Sequence, residues 1–108
     1  MYESRRLLLM GKANNFIAKL KTKEYNYTGE QTTLLLYLID TMVYGLANID
    51  SDEWQPYLKV FKEAKYKIRS HSKDEQVKRD NYEQAVTALL TALNTYVEYL
   101  QSVPCETR

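Results

Sequence analysis

Hydrophobic residues recur at helical spacing in four segments of the chain, and no segment shows sustained alternation of apolar and polar positions. The first segment runs from about residue 3 to residue 22, and the second from residue 28 to about residue 48. The apolar stripes comprise, in chain order, Tyr2, Leu9, Ala13, Phe16, Ile17 and Leu20; Leu35, Leu38, Ile39, Met42, Leu46 and Ile49; Trp54, Tyr57, Leu58, Phe61, Ala64 and Ile68; and Tyr82, Val86, Leu89, Leu93, Tyr96, Val97 and Leu100. Each stripe predicts one amphipathic helix.

The starts of the second and third helices are predicted from capping residues. Thr28 and Gln31 match a capping box, in which the Thr28 hydroxyl accepts from the Gln31 amide and the Gln31 side chain reaches back. Acceptor and acidic side chains at residues 50–53 suit the start of the third helix. Because Pro56 is tolerated only in a first turn, that start can move to Trp54 or Gln55.

The start of the fourth helix has two competing capping boxes, Ser72 with Glu75 and Asp80 with Glu83. We favour a helix from about Asp74, with packing that begins only at Tyr82. Between them the sequence is strongly polar, with Val77 as its aliphatic residue.

Three short connections between similar amphipathic segments predict an all-α fold, an antiparallel up-down four-helix bundle. The alternative is a three-helix bundle in which helices 3 and 4 are continuous, because no Gly or Pro separates them. We expect one helical domain over residues 1–102 and a disordered C-terminal tail over residues 103–108.

Composition narrows the class of protein. A chain of 108 residues suffices for one domain with its own core. Its 15 basic and 14 acidic residues nearly cancel, so no whole-chain field directs it to nucleic acid or anionic lipid. The N-terminal apolar run is too short for a signal peptide, and Asp40 interrupts the longest apolar segment. We expect a cytoplasmic protein without membrane contact.

Residues suited to catalysis or metal binding are sparse. One His and one Cys, far apart in sequence, do not form a metal site, and three isolated glycines do not form a phosphate-binding loop. We interpret His71 as a solvated loop residue and Cys105 as an inert tail thiol. The sequence predicts neither an enzyme nor a cofactor, and no small-molecule substrate.

One candidate binding surface is a cationic stripe on helix 3. Its members recur at steps of three and four residues and comprise Lys59, Lys62, Tyr66, Arg69 and Lys73. Such a face could bind phosphates, an acidic protein or single-stranded nucleic acid. The alternative is an ordinary solvated face with cations near a helix C-terminus.

The other candidate surface is the back of helix 2, opposite its core stripe, where Leu36, Tyr37, Asp40 and Tyr44 gather. Three explanations compete for a face with so little charge. Helix 2 can be covered on both sides within the chain, with a Tyr hydroxyl bonded to Asp40, and Gly45 would then allow close helix approach. The face can instead form a homodimer seam or dock onto a different protein.

These observations predict a non-enzymatic helical module that binds a protein partner with fixed stoichiometry. Tyr37, Asp40 and Tyr44 would form a flat aromatic contact, and the cationic stripe from Lys59 to Lys73 would steer an acidic partner. By analogy of size and class alone, we expect a bacterial or phage inhibitor, immunity protein or adaptor. The alternative is a nucleic-acid-binding protein that uses the basic face of helix 3.

Overall fold

Four α-helices packed against each other make up the fold in a computed structural model, which describes residues 2–26, 28–47, 55–69 and 73–104. The helices are α1 (Glu3–Lys21), α2 (Glu30–Ala47), α3 (Gln55–Ile68) and α4 (Glu75–Ser102). The prediction of an all-α protein is therefore confirmed for the described part of the chain.

Each helix packs against two others. The contacts run from α1 to α2, from α2 to α3, from α3 to α4, and from α4 back to α1, with the most extensive packing between α3 and α4. The core lies inside this ring of helices, and its largest fully buried side chains include Tyr96, Phe61 and Met42. Edge-to-face packing of Tyr57 on Tyr96, with ring centroids 5.2 Å apart, joins α3 to α4.

The predicted apolar stripes account for most of this core. Every stripe position of α1 from Leu9 onward is buried, as are the four described stripe residues of α2. Tyr2 is different, since it lies 39% exposed at the start of α1. Ala85 and Ala92 are also buried. Their small side chains lie between the large ones of α4 and let the neighbouring helices approach. Leu46, Ile49 and Trp54 lie outside the residues whose side chains are described.

The start of α4 confirms the favoured interpretation. Asp74 is the N-cap, and its carboxylate accepts from the backbone amides of Gln76 and Val77. The first buried residue of the helix is Tyr82, two turns later. Ser72 lies outside the described residues, and Asp80 lies inside the helix, where it accepts from the Gln76 side chain.

The predicted capping box of α2 is wrong in its hydrogen bonds. The Thr28 hydroxyl accepts from the amide of Glu30 at 3.4 Å, and it donates to Asn26 Oδ1. The side-chain oxygen of Gln31 is buried and has no hydrogen-bond partner among the described residues. The cause is the backbone turn at Gly29, whose φ of +79° directs Thr28 toward a nearer amide.

The described part of α3 begins at Gln55 and ends at Ile68, within the predicted segment. Lys73 lies outside α3, directly before the cap residue of α4, so it does not continue the cationic stripe of α3 as predicted. The acidic residues 50–53 lie outside the described chain.

Gly45 contributes less to helix approach than predicted. It is half-buried beside α1, and a Cβ atom placed on it would lie 3.7 Å from Phe16 Cζ. This is an ordinary van der Waals distance, so the approach of α1 to α2 does not require a glycine there.

Candidate functional site: an aromatic face bordered by cations

The outward side of α2 carries two tyrosines in solvent. Tyr37 is 76% exposed and Tyr44 is 75% exposed, and they lie seven residues apart on the same side of the helix. Leu36 is half-buried beside them, and Asp40 is exposed between them. We call the set Leu36, Tyr37, Asp40 and Tyr44 the α2 face. Within this chain, its two tyrosines are left uncovered.

An ion pair borders the α2 face on one side. The Nζ atom of Lys65 on α3 lies 2.6 Å from Asp40 Oδ1. The expectation that a tyrosine hydroxyl would bond Asp40 is therefore wrong for its described contacts, since the partner is this lysine. Lys65 was not among the predicted site residues because it lies between the core stripe and the cationic stripe of α3. A lone carboxylate on an otherwise uncharged helix face was the feature that could have indicated a cation on the neighbouring helix.

The cationic stripe of α3 adjoins the α2 face. Lys62 and Arg69 come three residues before and four residues after Lys65, which places them on neighbouring positions of the helix surface. Both are exposed, as are Lys59 and Tyr66, and the Tyr66 ring is 85% in solvent. The structure thus brings the two predicted surfaces together on one side of the molecule.

A shallow open groove follows the same part of α3. It has a volume of about 1050 Å³, and its lining includes Lys62, Glu63, Lys65, Tyr66 and Lys67 from α3, Arg69 just after α3, and Asn81 from α4. Several cationic side chains, an aromatic ring and one carboxylate therefore line one concave surface. Such a surface can accept carboxylates or phosphates, and it can pack against a flat apolar group.

A separate polar cluster holds the segment after α1 against the start of α4. The Tyr25 hydroxyl donates to Glu75 Oε2, and Lys78 Nζ lies 3.2 Å from Glu75 Oε1. The hydrogen bond from Tyr25 lowers the pKa of Glu75, with a smaller contribution from Lys78. The guanidinium of Arg79 lies 5.6 Å from the centroid of the Tyr25 ring. These contacts fix the backbone between helices, which is a structural role.

Tyr82 lies at the inner edge of that cluster. Its ring packs edge-to-face on Tyr25, with centroids 5.7 Å apart, and its buried hydroxyl has no hydrogen-bond partner among the described residues. Burial, with a smaller contribution from the charge of Glu24, raises the pKa of Tyr82 to about 12. Tyr82 is therefore a core residue and does not belong to the α2 face.

The described residues contain no group of three or more His, Cys, Asp or Glu side chains arranged to hold a metal ion. His71 and Cys105, the two residues considered for catalysis in the sequence, lie outside the described chain. No helix in residues 2–26, 28–47, 55–69 or 73–104 has the length and apolar character of a membrane span.

Comparisons of this chain with protein-family models, with curated proteins and with solved structures find no match.

Proposed function

We propose that this protein is a non-enzymatic interaction module that binds a partner protein through the α2 face and acts stoichiometrically, as an inhibitor or an adaptor. The observation that carries the proposal is the pair of tyrosines at positions 37 and 44, each three-quarters exposed. Large rigid aromatic side chains are enriched at protein interfaces, where they bury much surface at a small entropic cost.

The surroundings of the tyrosines fit the anatomy of a binding surface. Asp40 is paired with Lys65, so binding would not leave its carboxylate without a cation. Leu36 adds half-buried apolar surface beside the tyrosines, and the cations of α3 form a polar border. An apolar aromatic centre with a charged rim is the usual arrangement in interfaces whose energy is concentrated in a few residues.

We also propose that the four helices form an antiparallel up-down bundle, which presents α2 between α1 and α3. Two contacts support opposite directions for α3 and α4, since Lys67 late in α3 reaches Gln84 early in α4, whereas Tyr57 early in α3 packs on Tyr96 late in α4. Tyr25, just after α1, contacts Glu75 at the start of α4, which supports opposite directions for that pair.

The test replaces both tyrosines in the double variant Tyr37→Ser/Tyr44→Ser. A photo-crosslinking residue at the exposed position Thr41, on the same side of α2, reports the partner in cells of the source organism. We expect a discrete heavier adduct with the parent sequence and its loss in the double variant. Because both side chains are exposed, the free energy of unfolding should change by less than about 1 kcal/mol.

A matched control is the double variant Thr87→Ser/Asn94→Ser, which alters two exposed positions of α4 at the same seven-residue spacing. It should retain the adduct. If the Tyr37→Ser/Tyr44→Ser protein does not fold, the α2 face belongs to the core. If that variant folds and its crosslinked adduct is unchanged, the proposal is contradicted.

The second candidate function is binding of single-stranded nucleic acid by the basic face of α3. The observation that favours it is the open groove in which Lys62, Arg69 and the exposed ring of Tyr66 meet. Binding of an oligo(dT) strand should then weaken steeply as salt rises, because phosphate contacts release counterions. A flat titration at low salt eliminates this candidate.

A further inference from the structure

Cations border the α2 face on the side of α3. Lys65 contacts α2 directly through Asp40, and Lys62 and Arg69 occupy the neighbouring positions along the same side of α3. Both of these side chains are exposed, and neither forms an ion pair with another described residue. Two uncompensated positive charges therefore lie along this margin.

A matching margin lies on α1, on the other side of α2. Phe16 is the α1 residue that meets Gly45 of α2, and Lys12 and Lys19 come four residues before it and three residues after it. These spacings place both lysines on the surface of α1 that borders α2. Lys19 is exposed and Lys12 is half-exposed, and neither pairs with a described carboxylate.

The strip between the two margins is apolar and aromatic. Leu34, which is 44% exposed, precedes Tyr37 by three residues and continues the surface of the α2 face toward α1. Among the described residues of this strip, the exposed carboxylates are Asp40, which is paired, and Glu30 in the first turn of α2. The described residues of this surface thus carry a net positive charge, although the chain as a whole carries only +1.

A second copy of the chain does not complement this surface. In a two-fold dimer through α2, an axis perpendicular to the helix would set α3 against α3 of the partner, and an axis parallel to it would set α3 against α1. Helix α3 contains four lysines and one glutamate, and α1 contains five basic residues and one glutamate. Either symmetry places cations opposite cations, which disfavours association.

Resting on the protein-binding role proposed for the α2 face, we propose that its partner is an acidic protein segment whose carboxylates flank an apolar strip. The apolar strip would cover Leu34, Tyr37 and Tyr44. Carboxylates on either side of it would pair with Lys12 and Lys19 of α1 and with Lys62 and Arg69 of α3. The aliphatic surface at Leu34 and Leu36 favours a protein over nucleic acid, since bases stack on aromatic rings but not on leucines.

The experiment selects binders of the full chain from a random peptide display library and measures the affinities of the selected peptides. We expect sequences rich in Asp and Glu around apolar residues. Charge reversal in Lys12→Glu/Lys19→Glu, or in Lys62→Glu/Arg69→Glu, should weaken their binding about tenfold or more, because it replaces attraction by repulsion at one margin. Circular dichroism checks that each variant is folded.

The matched control is Lys21→Glu/Lys67→Glu, which reverses one exposed cation on each of the same two helices but away from α2. Lys67 bonds Gln84 of α4, and Lys21 comes two residues after Lys19, a spacing that places it on a different side of α1. This variant should change the affinities less than about twofold.

The remaining outcomes separate this inference from the proposed function. Peptides that need Tyr37 and Tyr44 but are neutral, or are insensitive to both charge reversals, overturn the acidic partner and leave the proposed function in place. Peptides unaffected by Tyr37→Ser/Tyr44→Ser overturn both. Binding of a 20-nucleotide oligo(dT) that competes with the peptides and weakens with the same charge reversals assigns the surface to nucleic acid instead.

Discussion

Tyr82 is the residue whose chemistry is least matched to its position. Its side chain is 3% exposed, yet its hydroxyl has no hydrogen-bond partner among the described residues. A buried hydroxyl without a partner loses its bonds to water and gains none in return. The ring, by contrast, packs against Tyr25 and fills the core near the start of α4. The position therefore favours the ring and not the hydroxyl.

We predict that Tyr82→Phe preserves or raises stability at pH 7, by up to about 1 kcal/mol, because only the unsatisfied hydroxyl is removed. The stability difference between Tyr82→Phe and the parent should increase at alkaline pH. Since the pKa of Tyr82 is raised to about 12 in the folded state, the unfolded chain loses the proton first, and stability is lost as the pH rises from about 10 to 12. The difference from Tyr82→Phe should widen by roughly 1.4 kcal/mol at pH 11.

Urea unfolding at pH 7 and pH 11 measures this effect, with Tyr37→Phe as the control at an exposed tyrosine. A constant difference between Tyr82→Phe and the parent at the two pH values would show that the hydroxyl has a partner or contacts water.

The ion pair of Lys65 and Asp40 orients these two side chains more than it stabilises the fold. Their side chains are 29% and 58% exposed, and exposed ion pairs contribute little free energy because water and salt screen them. In the α2 face, the positive charge of Lys65 balances the negative charge of Asp40 between the two tyrosines.

Among the elements, α4 begins well before the core does. Its cap is Asp74, and the first packed residue is Tyr82, so two turns of helix rest mainly on local interactions. In such a segment the cap matters more than usual, because the contacts of Glu75 and Arg79 with Tyr25 involve their side chains and leave the first backbone amides to the cap.

We predict that Asp74→Ala costs about 1 kcal/mol of stability, because two backbone amides lose their acceptor. Asp80→Ala is the matched control. It removes only a side-chain hydrogen bond from Gln76 within an exposed part of the helix, which is worth a few tenths of a kcal/mol. Urea unfolding of both variants gives the comparison, and a larger cost at Asp80 would move the start of the helix to that residue.

The whole molecule is elongated, with extents of 56 × 22 × 20 Å. The net charge is close to zero, but the charged residues are unevenly distributed among the helices. Basic residues predominate on α1 and α3, whereas α4 carries four carboxylates and two basic residues. An even distribution would leave no field at the α2 face. Among the described residues, cations instead lie on both sides of the aromatic strip, and such an arrangement would speed encounter with the acidic partner proposed above more than it would strengthen the final complex.

We predict that the protein alone is a monomer of about 12.7 kDa in solution, because either two-fold arrangement through α2 would bring cations together. Light scattering at low and high salt provides the measurement. A dimer that disappears in Tyr37→Ser/Tyr44→Ser would assign the α2 face to self-association and contradict both the monomer and the acidic partner.

The sequence by itself determined the helices and most of the core. Helical periodicity is a local property, since residues three and four apart share a face whatever surrounds them, and burial follows from that face. The start of α4 near Asp74 was predicted from local sequence as well, although the two capping boxes considered there had Ser72 or Asp80 as the cap and the structure has Asp74. The hydrogen bonds of Thr28 and Gln31 were not predictable in this way, because the turn at Gly29 decides which amide the hydroxyl can reach.

Only the tertiary structure decided which surfaces belong together. The α2 face and the cationic stripe lie on separate helices, and helical periodicity relates residues within one helix but not across two. The contact of Lys65 with Asp40, and that of Phe16 with the position of Gly45, set α3 and α1 on the two sides of α2. Packing depends on the shapes of all the side chains at once, and this is why the bordered face could be seen only in the folded molecule.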